Sequence, residues 1–89
     1  MKVLNMPVDM VAIFDLKNDY PIPLKFRIKS KDLNKHIKID KIRDSRQEMK
    51  AGHRICIFRC ESYDKDKDMI IPYEIHYERE DDVWLLYKI

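Results

Sequence analysis

The stretch that most constrains the fold is residues 53–78, which contains two runs rich in β-forming residues separated by the polar segment YDKDKD. Strand-like runs on both sides of charged, turn-compatible residues are typical of a β-hairpin. A turn centred on Lys65 and Asp66 predicts that Phe58 lies opposite Tyr73. Because strand side chains alternate between faces, one face collects apolar groups and is predicted to join the core: Cys56, Phe58, Cys60, Ile71, Tyr73, Ile75 and Tyr77.

The chain length predicts a single domain over residues 1–89. A composition of 45% hydrophobic and 38% charged residues is that of a globular protein rather than a disordered one. No apolar run approaches the ~18 residues of a membrane span, and the N-terminal residues lack the small-residue cleavage site of a signal peptide. We therefore expect a cytoplasmic protein.

Other segments also predict strands. Residues 8–14 are β-branched and apolar, and in residues 24–30 the apolar Leu24, Phe26 and Ile28 alternate with three cationic residues, which is typical of a half-buried strand. Residues 36–42 alternate before slipping phase at Ile42, which indicates a bulge or a strong bend. A turn is expected at residues 31–35, and residues 83–89 form the predicted last strand.

Residues 45–51 allow two interpretations. Ser45 followed by Glu48 resembles a helix capping box, and Gly52 would suit the position just after a short helix. The alternative is a long bent β-ribbon that turns near Gly52. We favour the ribbon, because so short a helix has little intrinsic stability and both flanks are strands.

Six strands joined by short loops predict an all-β fold, an antiparallel meander. Without a helix to cover the sheet, the strands must bury one face by curling. We therefore expect a small barrel or roll of the size of SH3-like and OB-like domains. The chain contains one glycine, which is fewer than a tightly closed barrel usually has.

The sequence carries no motif that demands a particular chemistry, and we predict that the protein is not an enzyme. In the predicted hairpin the two histidines and the two cysteines point to opposite faces, so no metal site is expected. Cys56 and Cys60 lie about 13 Å apart along one strand and cannot form a disulfide with each other. One glycine cannot build a phosphate-binding loop, and no cofactor is expected.

Charge is unevenly distributed along the chain. Residues 23–59 hold twelve Lys and Arg against four Asp and Glu, whereas residues 60–89 hold four against nine. Six cationic residues on the second and third predicted strands are candidates for contacting an anionic partner, including the phosphate backbone of a nucleic acid: Lys25, Arg27, Lys29, Lys38, Lys41 and Arg43. The alternative is that these residues only pair with the acidic C-terminal strands.

Apolar residues on a second strand face predict a protein interface, because the chain has no helix to cover them. The candidates are Ile55, Ile57, Trp84 and Leu86. These observations favour a binding module that associates with a copy of itself or with another protein through a sheet face or edge. Weak, sequence-nonspecific binding of nucleic acid is the alternative, and no membrane partner or small-molecule substrate is evident.

The segments PLKFR, AGH, IFRC, YEIHYE and VWLLYKI resemble those of short uncharacterised bacterial proteins of the Firmicutes type, over about residues 8–89. In that family similar strand patterns recur. The resemblance implies a compact β-domain and a bacterial cytoplasmic setting, and it transfers no catalytic residue to this chain.

Overall fold

A computed structural model describes residues 1–29 and 34–89, and this part of the chain contains seven β-strands and no helix. The strands are β1 (Val3–Ile13), β2 (Ile22–Lys29), β3 (Asn34–Lys38), β4 (Lys41–Lys50), β5 (His53–Asp64), β6 (Met69–Glu78) and β7 (Val83–Lys88). The predicted all-β class is confirmed, with seven strands rather than six. Nothing in the described residues forms a helix of the length and apolarity that a membrane crossing needs.

The central hairpin is β5 and β6, but its register differs from the predicted one by two residues. Asp64 lies opposite Met69, so the turn has four residues, and Phe58 lies opposite Ile75 rather than Tyr73. The Asp64 carboxylate accepts hydrogen bonds from the backbone N–H groups of the turn residues Asp66 and Lys67. Because the shift is an even number of residues, the predicted core face is kept.

The predicted third strand is divided in two. Residues 36–42 break at Ile39 and Asp40, so the first part belongs to β3 and the last two residues begin β4. The phase slip at Ile42 is a true irregularity, because the β4–β5 pairing shifts between Ile42 and Asp44 and leaves Arg43 as the extra residue. Of the turn predicted at residues 31–35, residues 31–33 lie outside the described residues, and Asn34 and Lys35 are the first residues of β3 rather than part of a turn.

The β-ribbon interpretation of residues 45–51 is confirmed. β4 continues to Lys50, and the chain then turns at Ala51 and Gly52, which have positive φ angles of 52° and 82°. Lys50 lies opposite His53, so Ala51 and Gly52 form a two-residue hairpin turn, and glycine adopts the left-handed conformation there without strain.

All strand pairs are antiparallel, in the order β3-β2-β1-β7-β6-β5-β4. β1 joins two halves of the sheet, because residues 3–8 pair with β7 and residues 9–13 pair with β2. β1 begins five residues earlier than predicted and includes Asn5, with a positive φ of 49°, and Pro7. Pro7 is tolerated because, among the described residues, this half of β1 pairs on one side only, so the missing N–H does not interrupt a second ladder.

The sheet is curled into a half-barrel. β3 and β4 stand at opposite ends of the strand order, yet only Ile39 and Asp40 separate them in the chain. The Ile39 N–H donates to the Leu24 carbonyl of β2 at 2.9 Å, and the Asp40 N–H donates to the Glu61 carbonyl of β5 at 3.1 Å. This short connection therefore spans the gap between the two ends of the curled sheet.

The core fills the inner, concave face. All of the apolar hairpin residues that the sequence predicted for the core are buried there, except Ile71, which is partly exposed. They pack with four side chains from β2 and β7: Phe26, Ile28, Trp84 and Leu86. Aromatic rings pack edge-on between β2 and β6, where the centroids of Phe26 and Tyr73 lie 5.6 Å apart. The two cysteines contribute as small buried apolar groups.

Leu24 does not face the core as its alternation with Phe26 and Ile28 predicts. Pro23 lies opposite Ala12 and Lys25 lies opposite Val11, so Leu24 is an extra residue at a register shift. Its side chain is 38% exposed, and Pro23 is buried in its place. A bulge reverses the facing of the residues beyond it, which the sequence pattern does not reveal.

We expect Leu86→Ala to lower the free energy of unfolding by about 3 kcal/mol, since Leu86 is fully buried and truncation leaves a cavity. Leu24→Ala is the matched control, with an expected loss of about 1 kcal/mol or less because Leu24 is already partly hydrated. Urea unfolding of the two variants measures the difference. Equal losses would contradict the assignment of Leu86 to the core.

Candidate functional site

The edge strand β4 is the longest exposed element of the fold. Nine of its ten residues are exposed, and within the described residues it pairs only with β5. Its opposite long side therefore presents unpaired backbone N–H and C=O groups, which is the usual site for adding a further strand. Its outer face carries Lys41 before the bulge at Arg43 and four charged side chains after it, namely Asp44, Arg46, Glu48 and Lys50.

Three of the four charged groups at residues 44–50 have partners in the same chain. The Arg59 guanidinium on β5 donates to both carboxylate oxygens of Asp44, with Nε–oxygen distances of 2.9 and 2.8 Å. This hydrogen bonding holds the pKa of Asp44 below its ordinary value. Arg46 Nε donates to Glu48 Oε1 at 3.0 Å, and no ion pair involves Lys50 in the described part of the chain.

Cationic residues also gather on the outer face of β2 and β3. Lys25 lies directly opposite Lys38, Arg27 lies opposite His36, and Lys29 lies opposite Asn34. Arg27 is engaged with Asp9 of β1, with 2.5 Å between Nη2 and Oδ2, and this hydrogen bond lowers the pKa of Asp9. We call the set Lys25, Arg27, Lys29, His36 and Lys38 the β2–β3 basic surface.

The other two predicted anion-binding residues lie elsewhere. Lys41 and Arg43 are on β4, where Lys41 lies opposite Glu61 and Arg43 Nη1 lies 3.5 Å from Glu61 Oε2. The six predicted residues therefore divide into four on the β2–β3 basic surface and two beside a carboxylate. The division follows from the break at Ile39 and Asp40, which puts β3 and β4 at opposite ends of the strand order.

The predicted protein interface does not form one surface. Ile55 and Ile57 lie on the outer face, whereas Trp84 and Leu86 lie in the core on the inner face. The β7 residue that joins the isoleucines on the outer face is Leu85, which sequence reasoning missed. In an apolar run such as VWLL the sequence does not show whether Trp84 and Leu86 or Val83 and Leu85 face inward. The pairing of Trp84 with Tyr77 and of Leu86 with Ile75 decides it.

The outer apolar residues are largely covered within the monomer. Ile57, His76 and Leu85 lie in one cross-strand row with exposures of 3%, 9% and 9%. The His76 ring stacks on Tyr87, with 4.0 Å between centroids, and its Nε2 lies 2.7 Å from Glu74 Oε1. This row is thus a second small packing layer rather than an open apolar patch.

The polar groups that could carry chemistry are separated by the sheet. Cys56, Cys60 and Ser62 are buried on the inner face, while His76 is on the outer face. Burial raises the pKa of the Cys56 thiol and raises that of Cys60 to about 12. The described residues contain no group of three or more His, Cys, Asp or Glu placed to hold a metal ion.

Over residues 1–29 and 34–89, the fold and its surfaces define a class: a small antiparallel half-barrel with two edge strands, each paired on one side only, and a basic outer surface on one of them. Comparison with protein-family models, with curated proteins and with solved structures finds no match to the chain. The resemblance to short Firmicutes proteins therefore stays a prediction.

We expect both native thiols to be unreactive toward a disulfide reagent at pH 8, because the thiolate is the reacting form and burial disfavours it. Two equivalents should react after unfolding in guanidinium chloride. Ser45→Cys is the positive control, since it places a thiol on the exposed strand β4 and should react within the mixing time. Rapid labelling of a native cysteine in the folded protein would contradict the buried assignment.

Proposed function

We propose that this protein is a non-enzymatic interaction module of the cytoplasm that associates with a second copy of itself through the free edge of β4. The observation that supports it best is the ten-residue exposed edge strand. A strand of this length offers a ladder of about 34 Å to a partner strand. Pairing the two edges would satisfy backbone groups that are otherwise exposed at both.

The opposite edge supports the choice of β4. Within residues 34–89, β3 has five residues, and its charged side chains, Lys35 and Lys38, are both positive. A short edge with charges of one sign repels a copy of itself, which is a common protection against strand addition. β4 is twice as long and carries both signs, so it lacks that protection.

A second candidate function is the binding of a nucleic-acid phosphate backbone at the β2–β3 basic surface. Lys25 and Lys38 are directly opposite one another, and like charges in that position are destabilising. An anionic partner would remove this repulsion. Phe26 is buried in the core and cannot stack on bases. We therefore expect contacts to the phosphates and not to the bases, so that binding does not depend on sequence.

For self-association we expect sedimentation equilibrium to give a mass approaching twice 10.9 kDa as the concentration rises. Because β4 is the proposed contact, hydrogen exchange should slow with concentration in residues 41–50 and not in β3, which serves as the internal control. A mass that stays monomeric up to about 1 mM would sink the proposal, since even a weak complex forms there. Slowing confined to another strand would also overturn it.

For anion binding we expect labelled nucleic acid to bind at about 50 mM salt and to weaken at about 200 mM, roughly 40-fold for double-stranded DNA and roughly 20-fold for a single strand, as three phosphate contacts predict. The variant K25E/K38E should abolish the binding. K65E/K67E changes net charge equally but lies in the β5–β6 turn, so it should bind nearly as well as wild type. Equal loss in both variants would mean that net charge, rather than this surface, controls the binding.

A further inference from the structure

The outer-face charges of β4 alternate in sign along the strand. Asp44 and Glu48 are negative, and Arg46 and Lys50 are positive. Reflection of this series about Gln47 exchanges every charge with one of opposite sign. The inner-face residues on either side of Gln47, Ser45 and Met49, are uncharged.

A two-fold axis between two antiparallel edge strands must be perpendicular to the sheet, so that outer faces meet outer faces. Residues that lie opposite each other then share a face. With the axis at Gln47, Arg46 lies opposite Glu48 of the partner subunit, and Asp44 lies opposite Lys50 of the partner subunit. The symmetry repeats both pairs, so all eight outer-face charges of residues 44–50 in the two copies are matched.

The neighbouring registers are disfavoured by the same charges. An axis at Arg46 would place Arg46 opposite its own copy and Asp44 opposite Glu48 of the partner subunit. An axis at Glu48 would place Glu48 opposite its own copy and Arg46 opposite Lys50 of the partner subunit. Like charges directly opposite one another are destabilising, so each of these shifts replaces attraction with repulsion.

We infer that two copies of the chain join β4 to β4 in one register, with the two-fold axis at Gln47, to form a continuous fourteen-stranded antiparallel sheet. This inference rests on the proposed self-association and adds to it the register and the paired residues. In that register Ser45 lies opposite Met49 of the partner subunit. Asp44, already bonded to Arg59, gains a second cation across the interface.

Cysteine crosslinking measures the register directly. Ser45→Cys and Met49→Cys are prepared as separate variants and oxidised alone and as an equimolar mixture. Neither position lies opposite a native cysteine, because Ser45 pairs with Phe58 and Met49 with Arg54. We expect a covalent dimer in the mixture only, since opposite Cα atoms lie within disulfide range, whereas two copies of the same position are about 13 Å apart.

Each other result overturns the register and bears separately on the proposed function. A covalent dimer of Ser45→Cys alone places the axis at Ser45, and one of Met49→Cys alone places it at Met49. No crosslink from the mixture, although sedimentation shows a dimer, means that the copies meet in another register of β4 or through another surface. A monomer under all conditions defeats the proposed self-association itself.

Charge reversal provides an independent readout. K50E places a carboxylate opposite Asp44 of the partner subunit, and the symmetry repeats this repulsion, so the dissociation constant of the dimer should rise about tenfold or more. K65E makes the same charge change in the β5–β6 turn, away from β4, and should leave the constant unchanged. Equal effects of the two variants would overturn the proposed pairing.

Discussion

The two-residue connection of Ile39 and Asp40 is the constraint on which the rest of the structure depends. Edge strands of a flat seven-stranded sheet would lie about 29 Å apart, whereas the chain from Lys38 to Lys41 spans at most about 11 Å. The sheet must therefore curl. Two hydrogen bonds connect this joint to the core. The Ser62 hydroxyl donates to the Lys38 carbonyl at 2.5 Å, and the buried Tyr73 hydroxyl lies 2.5 Å from Ser62 Oγ.

The curl of the sheet encloses the core but does not close the described strands into a full barrel. It closes the inner face around Phe58, Tyr73 and Leu86, and β1 assists by pairing with β7 over its first half and with β2 over its second. In the described part of the chain it does not bring β3 and β4 into a shared ladder, so both ends of the strand order remain edges. At these edges the outward backbone N–H and C=O groups have no strand partner among the described residues and are available to pair with a further strand.

The sequence predicted the features that depend on the alternation of apolar and polar residues along one strand. The core face of β5 and β6 survived a two-residue error in register, because strand facing depends only on whether a shift is even or odd. Features decided by non-local pairing were not predictable. Leu24 alternates with Phe26 but is displaced by a bulge, and Trp84 faces inward only because of its pairing with Tyr77. The sequence pattern did not predict the start of β1, because Pro7 lies within it. Proline is tolerated there because residues 3–8 pair on one side only among the residues that the structure describes.

The candidate site could not be predicted from the sequence for a further reason. The charge totals of long segments indicate a basic middle and an acidic C-terminal end. The pattern that matters for the candidate site is the alternation of charge sign along β4. That alternation bears on pairing with a second copy only because β4 is an edge strand. Arg46 and Glu48 already contact each other at 3.0 Å in one chain, so a second copy would place each beside two opposite charges without breaking that pair. Exposed ion pairs contribute little free energy. In such an assembly the backbone ladder would supply the attraction, and the charges would select one register among those that the ladder alone permits.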